Sequence, residues 1–242
     1  MQIPYLIYLE IGQDNKCMAH VLDLPGCAVR AETREEAFRR IPEAIREYRQ
    51  WLIRHGESIT VDEVIQVKVA EVSTGFGPFD PGDAAALFLP DKNPITPEEI
   101  EQYIGLMTYN RTDLLSLVGN LSEELFDQQP GENSFSIRKI LRHIGNAEEW
   151  YVSRIVLPET LPKEWENDDN LPILEFLEME RRTAMERLRI LTKRERSDVF
   201  LPHQWTQHPD EPWTARKVFR RFLEHEMEHI AQVRIIVKVK TT

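Results

Sequence analysis

Between Ser73 and Thr96 the chain carries Gly75, Gly77, Pro78, Pro81, Gly82, Pro90 and Pro94 without a sustained hydrophobic period, and the pattern differs on its two sides. Before this stretch apolar residues come in short alternating runs. After it they recur every three or four residues over long segments. A period of two marks strands and a period of 3.6 marks helices, so two kinds of packing must share one chain. The expected division is an α+β domain over residues 1–73, a linker over 74–95 and an all-α domain over 96–242. Within the linker, Ala84 to Leu89 is apolar enough to dock on a domain instead of swinging free.

In the first segment, Ile3 to Glu10 and Cys17 to Leu22 are β-branched or aromatic-rich runs joined by Gly12-Gln13-Asp14-Asn15, which is hairpin turn chemistry. Ala28 to Ala31 reads as a third short strand. Thr33-Arg34-Glu35-Glu36 has capping-box spacing and opens a helix that keeps Ala37, Ile41, Ile45, Tyr48 and Leu52 in phase to about Arg54. Pro42 lies inside it, and because the apolar phase continues the expectation is a bend and not a break. Val64 to Val72 alternates as a fourth strand, giving the order βββαβ. His20, on the second strand, reads as a satisfied structural histidine. Cys17 and Cys27 are too few for a disulfide framework and read as reduced core or loop residues.

The second segment opens with Thr96-Pro97-Glu98-Glu99, a capping box with proline at the first helical position. Ile100, Ile104, Met107, Leu114, Val118 and Leu121 follow at helical spacing. Ser136 opens a second helix that ends before Pro158, and a third runs from about Leu171 to Leu191. After a long loop, Thr192 to Trp213, Thr214 caps a fourth helix reaching about Val239. Four helices of this length make an antiparallel or crossover four-helix bundle around one core.

The net charge of -11 argues against a nucleic-acid partner or an anionic membrane surface, both of which need an excess of Lys and Arg on some face. No apolar run approaches the roughly 18 residues of a spanning helix, and Met1 to Glu10 has neither a basic region nor a cleavage site. A cytoplasmic location is expected.

The chemistry concentrates in Glu224-His225-Glu226-Met227-Glu228-His229-Ile230-Ala231-Gln232. Positions four apart on a helix lie one above the other, so the His225 and His229 imidazoles leave the same face and can share one ligand. A neutral imidazole can also sit in a core when both nitrogens find partners, so the pair alone is suggestive and no more. His143, on the second helix, is the only other histidine on a helix of this segment, and bundles build metal sites from side chains on facing helices. Three histidines with an open fourth position describe a catalytic-type Zn²⁺ site, and imidazole also suits Ni²⁺ or Fe²⁺. Glu148 and Glu228 are candidates to orient a ligating imidazole, or else solvated helix-face charges. His203 and His208, in the long loop, are lid candidates or exposed loop residues, and Trp150, Trp165, Trp205 and Trp213 read as packing before they read as a substrate box.

Two resemblances follow from these residues. The order βββαβ, with Asp23-Leu24-Pro25-Gly26-Cys27, Thr33-Arg34-Glu35-Glu36-Ala37 and Glu43-Ala44-Ile45, resembles the HicB-like antitoxin domain. That resemblance implies a partial RNase H-like fold without its catalytic acids, and a protein partner such as a small toxin. Here neither a DNA-binding module nor a toxin follows. His143-Ile144 with Glu148, Trp150 and Tyr151, then Trp213-Thr214, then His225-x-x-x-His229-Ile-Ala-Gln232 resemble the DinB-like, or YfiT-like, four-helix-bundle family. This second resemblance implies one divalent metal held by His143, His225 and His229, with Zn²⁺ or Ni²⁺ the leading choices. It also implies a transferase or hydrolase acting on a small-molecule substrate, in some relatives with a low-molecular-weight thiol as cosubstrate. The alternative is a non-catalytic, metal-stabilised scaffold whose HicB-like domain mediates partner binding or oligomerisation. Bundles of this kind often pair, so a homodimer is expected by analogy.

Overall fold

The computed structural model describes residues 3–60, 64–76, 84–131, 134–167, 170–202 and 204–241. Three strands open the chain, β1 (Tyr5–Gly12), β2 (Cys17–His20) and β3 (Ala28–Ala31), and α1 (Arg34–Arg54) follows. Thr33 Oγ1 caps that helix by accepting from the Glu36 amide at 3.2 Å, and the helix runs unbroken through Pro42. It buries Ala37, Ile41 and Ile45 against Ile7, Leu9 and Ala19 of the sheet. β4 (Val67–Phe76) then pairs parallel to β1, giving the strand order β3-β2-β1-β4. The expected βββαβ order is the observed one.

β4 begins at Val67 instead of Val64 and runs to Phe76, so residues 74–76, expected in the linker, complete a strand. The reason is the neighbour: β1 offers ladder partners as far as Ile11 with Thr74 and Gly12 with Phe76. A register shift falls between those two pairs, where Gly75 takes a φ of 98° that only glycine adopts without strain.

The helical segment consists of α2 (Pro97–Val118), short α3 (Glu123–Asp127), α4 (Ile137–Val152), α5 (Ile173–Arg189), short α6 (Lys193–Ser197) and α7 (Ala215–Thr241). Thr96 and Glu99 form the expected reciprocal capping box. The long helix α2 packs on α7 and α5, while α4 packs on α5 and α7. Consecutive helices α2 and α4 therefore stand on a diagonal, and the connection carrying α3 crosses the end of the bundle. Gly145 allows α4 and α5 to close, since a Cβ there would sit 2.2 Å from the fully buried Phe176 ring.

The two segments are joined by buried polar contacts. Residues 84–89 dock as expected, with Ala86 and Phe88 buried. Lys217 Nζ donates to the Ala85 carbonyl at 2.5 Å and to Glu211 Oε1 at 2.8 Å. Arg220 holds Asp91 at 2.9 Å and the Ala86 carbonyl at 2.7 Å. Across the junction, His20 sits between two carboxylates, with Nδ1 2.7 Å from Glu224 and Nε2 3.3 Å from Glu10. Gly26, at φ 99°, brings the β2–β3 turn onto α7: a Cβ there would meet Met227 Sδ at 3.1 Å and Leu223 at 3.2 Å. Both cysteines are buried and free, and among the described residues no helix is long and apolar enough to cross a membrane.

Burial alone would push the His20 pKa down, but Glu224 and Glu10 outweigh it and the net shift is upward from 6.5. A raised folded-state pKa contributes stability that is fully present below 6.5 and is lost as pH climbs through the raised value. His143, His225 and His229 shift downward, so the unfolded chain is still losing their protons at pH 6.5 and their influence raises stability up to about pH 7.5 before it becomes flat. Lys217, pushed down to about 8 by burial, titrates later. Those three histidines oppose His20 between pH 6.5 and about 7.5, so the His20 contribution is read as a difference: the stability lost in His20→Gln should be largest below pH 6.5 and shrink as pH rises. A stability difference that stays constant with pH would show that the His20 charge does not hold the junction.

Candidate metal centre

Apolar periodicity decides which way α7 faces: Val218, Phe219, Phe222, Ile230 and Val233 are buried and turn one stripe inward. His225 and His229 lie on the shoulder of that stripe next to α4, which carries His143 above the buried Ile140 and Ile144. The three rings converge. His225 Nε2 is 3.0 Å from His143 Nε2 and 3.2 Å from His229 Nε2. One ring nitrogen from each lies within 4.8 Å of the others, and this is the group among the described residues placed to hold a cation. His143 is exposed and the other two are half-buried, so the cluster stands at the bundle surface with one side open.

The donor chemistry fits a metal. His229 Nδ1 lies 2.9 Å from Gln232 Oε1, which can only accept, so Nδ1 carries the proton and the Nε2 lone pair points into the cluster. Burial and the neighbouring rings lower the pKa of His143 and His225, and burial lowers that of His229, keeping the imidazoles neutral near pH 7. Two nitrogens bound to one tetrahedral zinc at about 2.0–2.1 Å stand about 3.3–3.4 Å apart. The two shortest separations here approach that value without rearrangement.

The family model described as the DinB superfamily matches residues 106–233, more than half of the 242-residue chain. The chain belongs to the DinB superfamily. Its DinB segment is preceded by a HicB-like unit, since the UPF0150 protein Ta0767 of Thermoplasma acidophilum is 34% identical over 67 residues, 28% of this chain and 97% of that one. Among solved structures, YfiT from Bacillus subtilis, described as a probable metal-dependent hydrolase with an unusual four-helix bundle topology, aligns with a TM-score of 0.45 at 16% identity, over 61% of this chain and 90% of that one.

The DinB bundle departs from the sequence expectation at its glutamates. Glu148 does not orient an imidazole. Its carboxylate is buried between two guanidiniums, 2.8 Å from Arg181 Nη2 and bonded also to Arg111. Glu226, on α7, completes the set at 2.8 Å from Arg111 and 2.7 Å from Arg181. Each long helix thus contributes one charge to a quartet of two cations and two anions. Arg111 and Arg181 use further donors on the Leu177 and Met107 carbonyls, both at 2.5 Å. The reason lies in phase: Glu148 falls four residues after Ile144 and three before Tyr151, on the inward stripe, whereas His143 sits on its flank. Glu228 faces Arg30 of β3 at 3.2 Å, and the orienting role at His229 falls to Gln232.

Arg111, Arg181 and Gln232 were missed in the sequence, although each carries a signal. Arg111 falls between Met107 and Leu114, and Arg181 between Leu177 and Ala184, at apolar-stripe positions. Gln232 stands three residues after His229, within reach on the same helix face. His203 lies outside the described residues. The loop bearing His208 is fastened by its carbonyls, Trp205 accepting from Trp150 Nε1 at 2.7 Å and Gln204 from Arg154 at 2.9 Å. Those anchors are seven and eleven residues along from His143, about two to three helical turns away. Trp213 and Trp165 are packing residues, 1% and 6% exposed, while Trp205 is 58% exposed and contributes no core.

Removing one member of a buried ion network strands the others, typically at about 3–5 kcal/mol, whereas replacing a whole pair by apolar groups costs far less. Arg181→Met should therefore destabilise the protein by about that amount in urea titration, and adding Glu148→Leu should recover part of the loss. Strict additivity of the two substitutions would contradict the quartet.

Proposed function

We propose that the protein is a metal-dependent enzyme of small-molecule chemistry, a transferase or hydrolase, in which His143, His225 and His229 hold one divalent cation. The observation that carries this reading is the convergence of three neutral imidazole nitrogens, with the His229 tautomer set by Gln232. An all-imidazole donor set suits Zn²⁺ or Ni²⁺ better than Mg²⁺ or Ca²⁺. When bound, such a cation lowers the pKa of a water or low-molecular-weight thiol in its open position and supplies a nucleophile at neutral pH.

The chain's own residues then hold and orient. Tyr151 packs edge-on to His225 with ring centroids 5.8 Å apart, walling the site on the α4 side. Arg221 and Arg30, paired with Glu224 and Glu228, stand near enough to His225 to help lower its pKa, Arg30 from the side of β3. The HicB-like unit thus reaches the edge of the site through Arg30, which supports a role in covering it. A protein partner for that unit is the alternative reading, with the bundle then a metal-stabilised scaffold.

Purified protein should carry one divalent metal per chain by elemental analysis. Gln232→Ala should weaken zinc binding by about 10–100-fold, as loss of a ligand-orienting bond does. His143→Ala and His229→Ala should weaken it further. Since the imidazole pKa values lie below 6.5, zinc affinity should stay level down to that pH and fall below it as protons compete. Metal content unchanged in His229→Ala would remove the basis of the reading. If metal binds but neither ester hydrolysis nor thiol transfer to an electrophile responds to it, the scaffold alternative stands.

A further inference from the structure

Between the HicB-like unit and the bundle runs a groove of about 580 Å³. That lies inside the range of about 300–1,000 Å³ usual for small-molecule sites. It follows the flank of α7 that bears Met227, which is about 200° around the helix from His225. The groove therefore opens mainly on another side of α7 and meets the imidazole cluster at its edge, where His229 and Gln232 border both.

Its composition is specific. Trp51 and Tyr48 from α1, 7% and 5% exposed, line it together with Met227 as an apolar floor. Asn110 from α2 also lines it and is 1% exposed. The Asn110 amide donates to the Leu223 carbonyl at 3.3 Å, which fixes its orientation, and its Oδ1 has no hydrogen-bond partner. A buried acceptor without a donor is a standing cost that a ligand's O–H or N–H would relieve.

Charges of both signs line the rim, four arginines and the carboxylates of Glu47, Asp113, Glu224 and Glu228. Arg30, Arg40, Arg54 and Arg234 line the groove, and among the described residues Arg54 and Arg234 form no ion pair. Three of the bordering carboxylates have partners: Asp113 accepts from Trp51 Nε1 at 2.8 Å and pairs with His55, Glu224 pairs with His20, Arg220 and Arg221, and Glu228 pairs with Arg30, which leaves Glu47 as the exposed acid of the rim.

We propose that this groove is a binding site for a small organic anion with a ring-sized apolar body and a hydrogen-bond donor. The body lies on Trp51 and Met227, the donor reaches Asn110 Oδ1, and the anionic group is held by Arg54 and Arg234. The site stands without the metal reading. Only the further step, that its occupant is the substrate of the histidine centre and meets it at His229, rests on that reading.

A matched trio of probes tests the site: 4-hydroxyphenylacetate, its neutral counterpart 4-hydroxyphenylethanol, and phenylacetate, which lacks the hydroxyl. Binding to the full chain is read from the Trp51 indole N–H signal, assigned with Trp51→Phe. The hydroxylated acid should shift that signal, and each of the other two compounds should bind about tenfold more weakly, the value of one charged or buried hydrogen bond. Arg54→Glu with Arg234→Glu, both on the exposed rim, should weaken the two acids by a similar factor and leave the neutral compound unaffected. His143→Ala, outside the groove, should leave probe binding intact while abolishing stoichiometric metal, so failure of the metal reading does not imitate failure here. No Trp51 shift with either acid at about 10 mM, equal affinity for all three compounds, or indifference to the charge reversals overturns the proposal.

Discussion

The quartet of Arg111, Glu148, Arg181 and Glu226 sets the rotation of each long helix of the bundle, and the rest of the bundle depends on that rotation. Two cations and two anions buried in the bundle must face one another, since each charge left alone there costs several kcal/mol. Such a network is a weak source of net stability. Its stronger effect is on register, because turning α7 by one residue would carry Glu226 about 100° away from both guanidiniums. Burial would raise the Glu226 pKa, yet Arg181 and Arg111 hold it below the usual carboxylate value, so the pairing is maintained across neutral pH.

With Glu226 fixed inward, its neighbours on α7 have no freedom to choose their faces. Glu224 turns to His20 of the HicB-like unit, His225 to His143 of α4, Met227 to the inter-domain groove, and Glu228 to Arg30. Five consecutive residues therefore serve a junction, a site, a core, a groove and a surface pair. The junction is a rigid one. Lys217, Arg220 and Glu224 are all buried against the docked segment or the sheet, and a Cβ at Gly26 would collide with α7. Both walls of the groove are consequently held in place, which is what a preformed ligand site requires.

Sequence periodicity was enough to find α1, α2, α4, α5 and α7, because each buries a stripe long enough to outweigh local propensity. It placed the start of β4 early and its end short, because strand limits depend on ladder partners and these come from β1, sixty residues away. The three histidines were legible because helical phase alone puts His225 over His229. The glutamates were misjudged for the opposite reason: Glu148 was weighed as a neighbour of His143, whereas its phase with Ile144 and Tyr151 turns it inward. A charge on an apolar stripe calls for a counter-charge on the facing helices, and the same test applied to Arg111, Arg181 and Glu226 recovers the whole quartet. His20 was read correctly as structural, but Glu224 as its partner could not be seen, since nothing local ties residues 204 positions apart.

The quartet also decides what chemistry the histidine cluster can support. Glu148, Glu224 and Glu226 are the buried acids nearest to the histidines along α4 and α7; guanidiniums neutralise Glu148 and Glu226, Glu224 is taken by His20, Arg220 and Arg221, and Glu228 is engaged by Arg30. Among the described residues no carboxylate joins the three imidazoles, so a cation held there would meet three neutral nitrogens. A divalent cation held by such a set keeps its full charge, whereas each carboxylate ligand would cancel part of it. An undiminished charge favours an anionic ligand in the open position, hydroxide or thiolate, over neutral water or thiol. By withdrawing the glutamates to order the bundle, the core would leave beside it, on the proposed metal-dependent reading, a site suited to making a nucleophile.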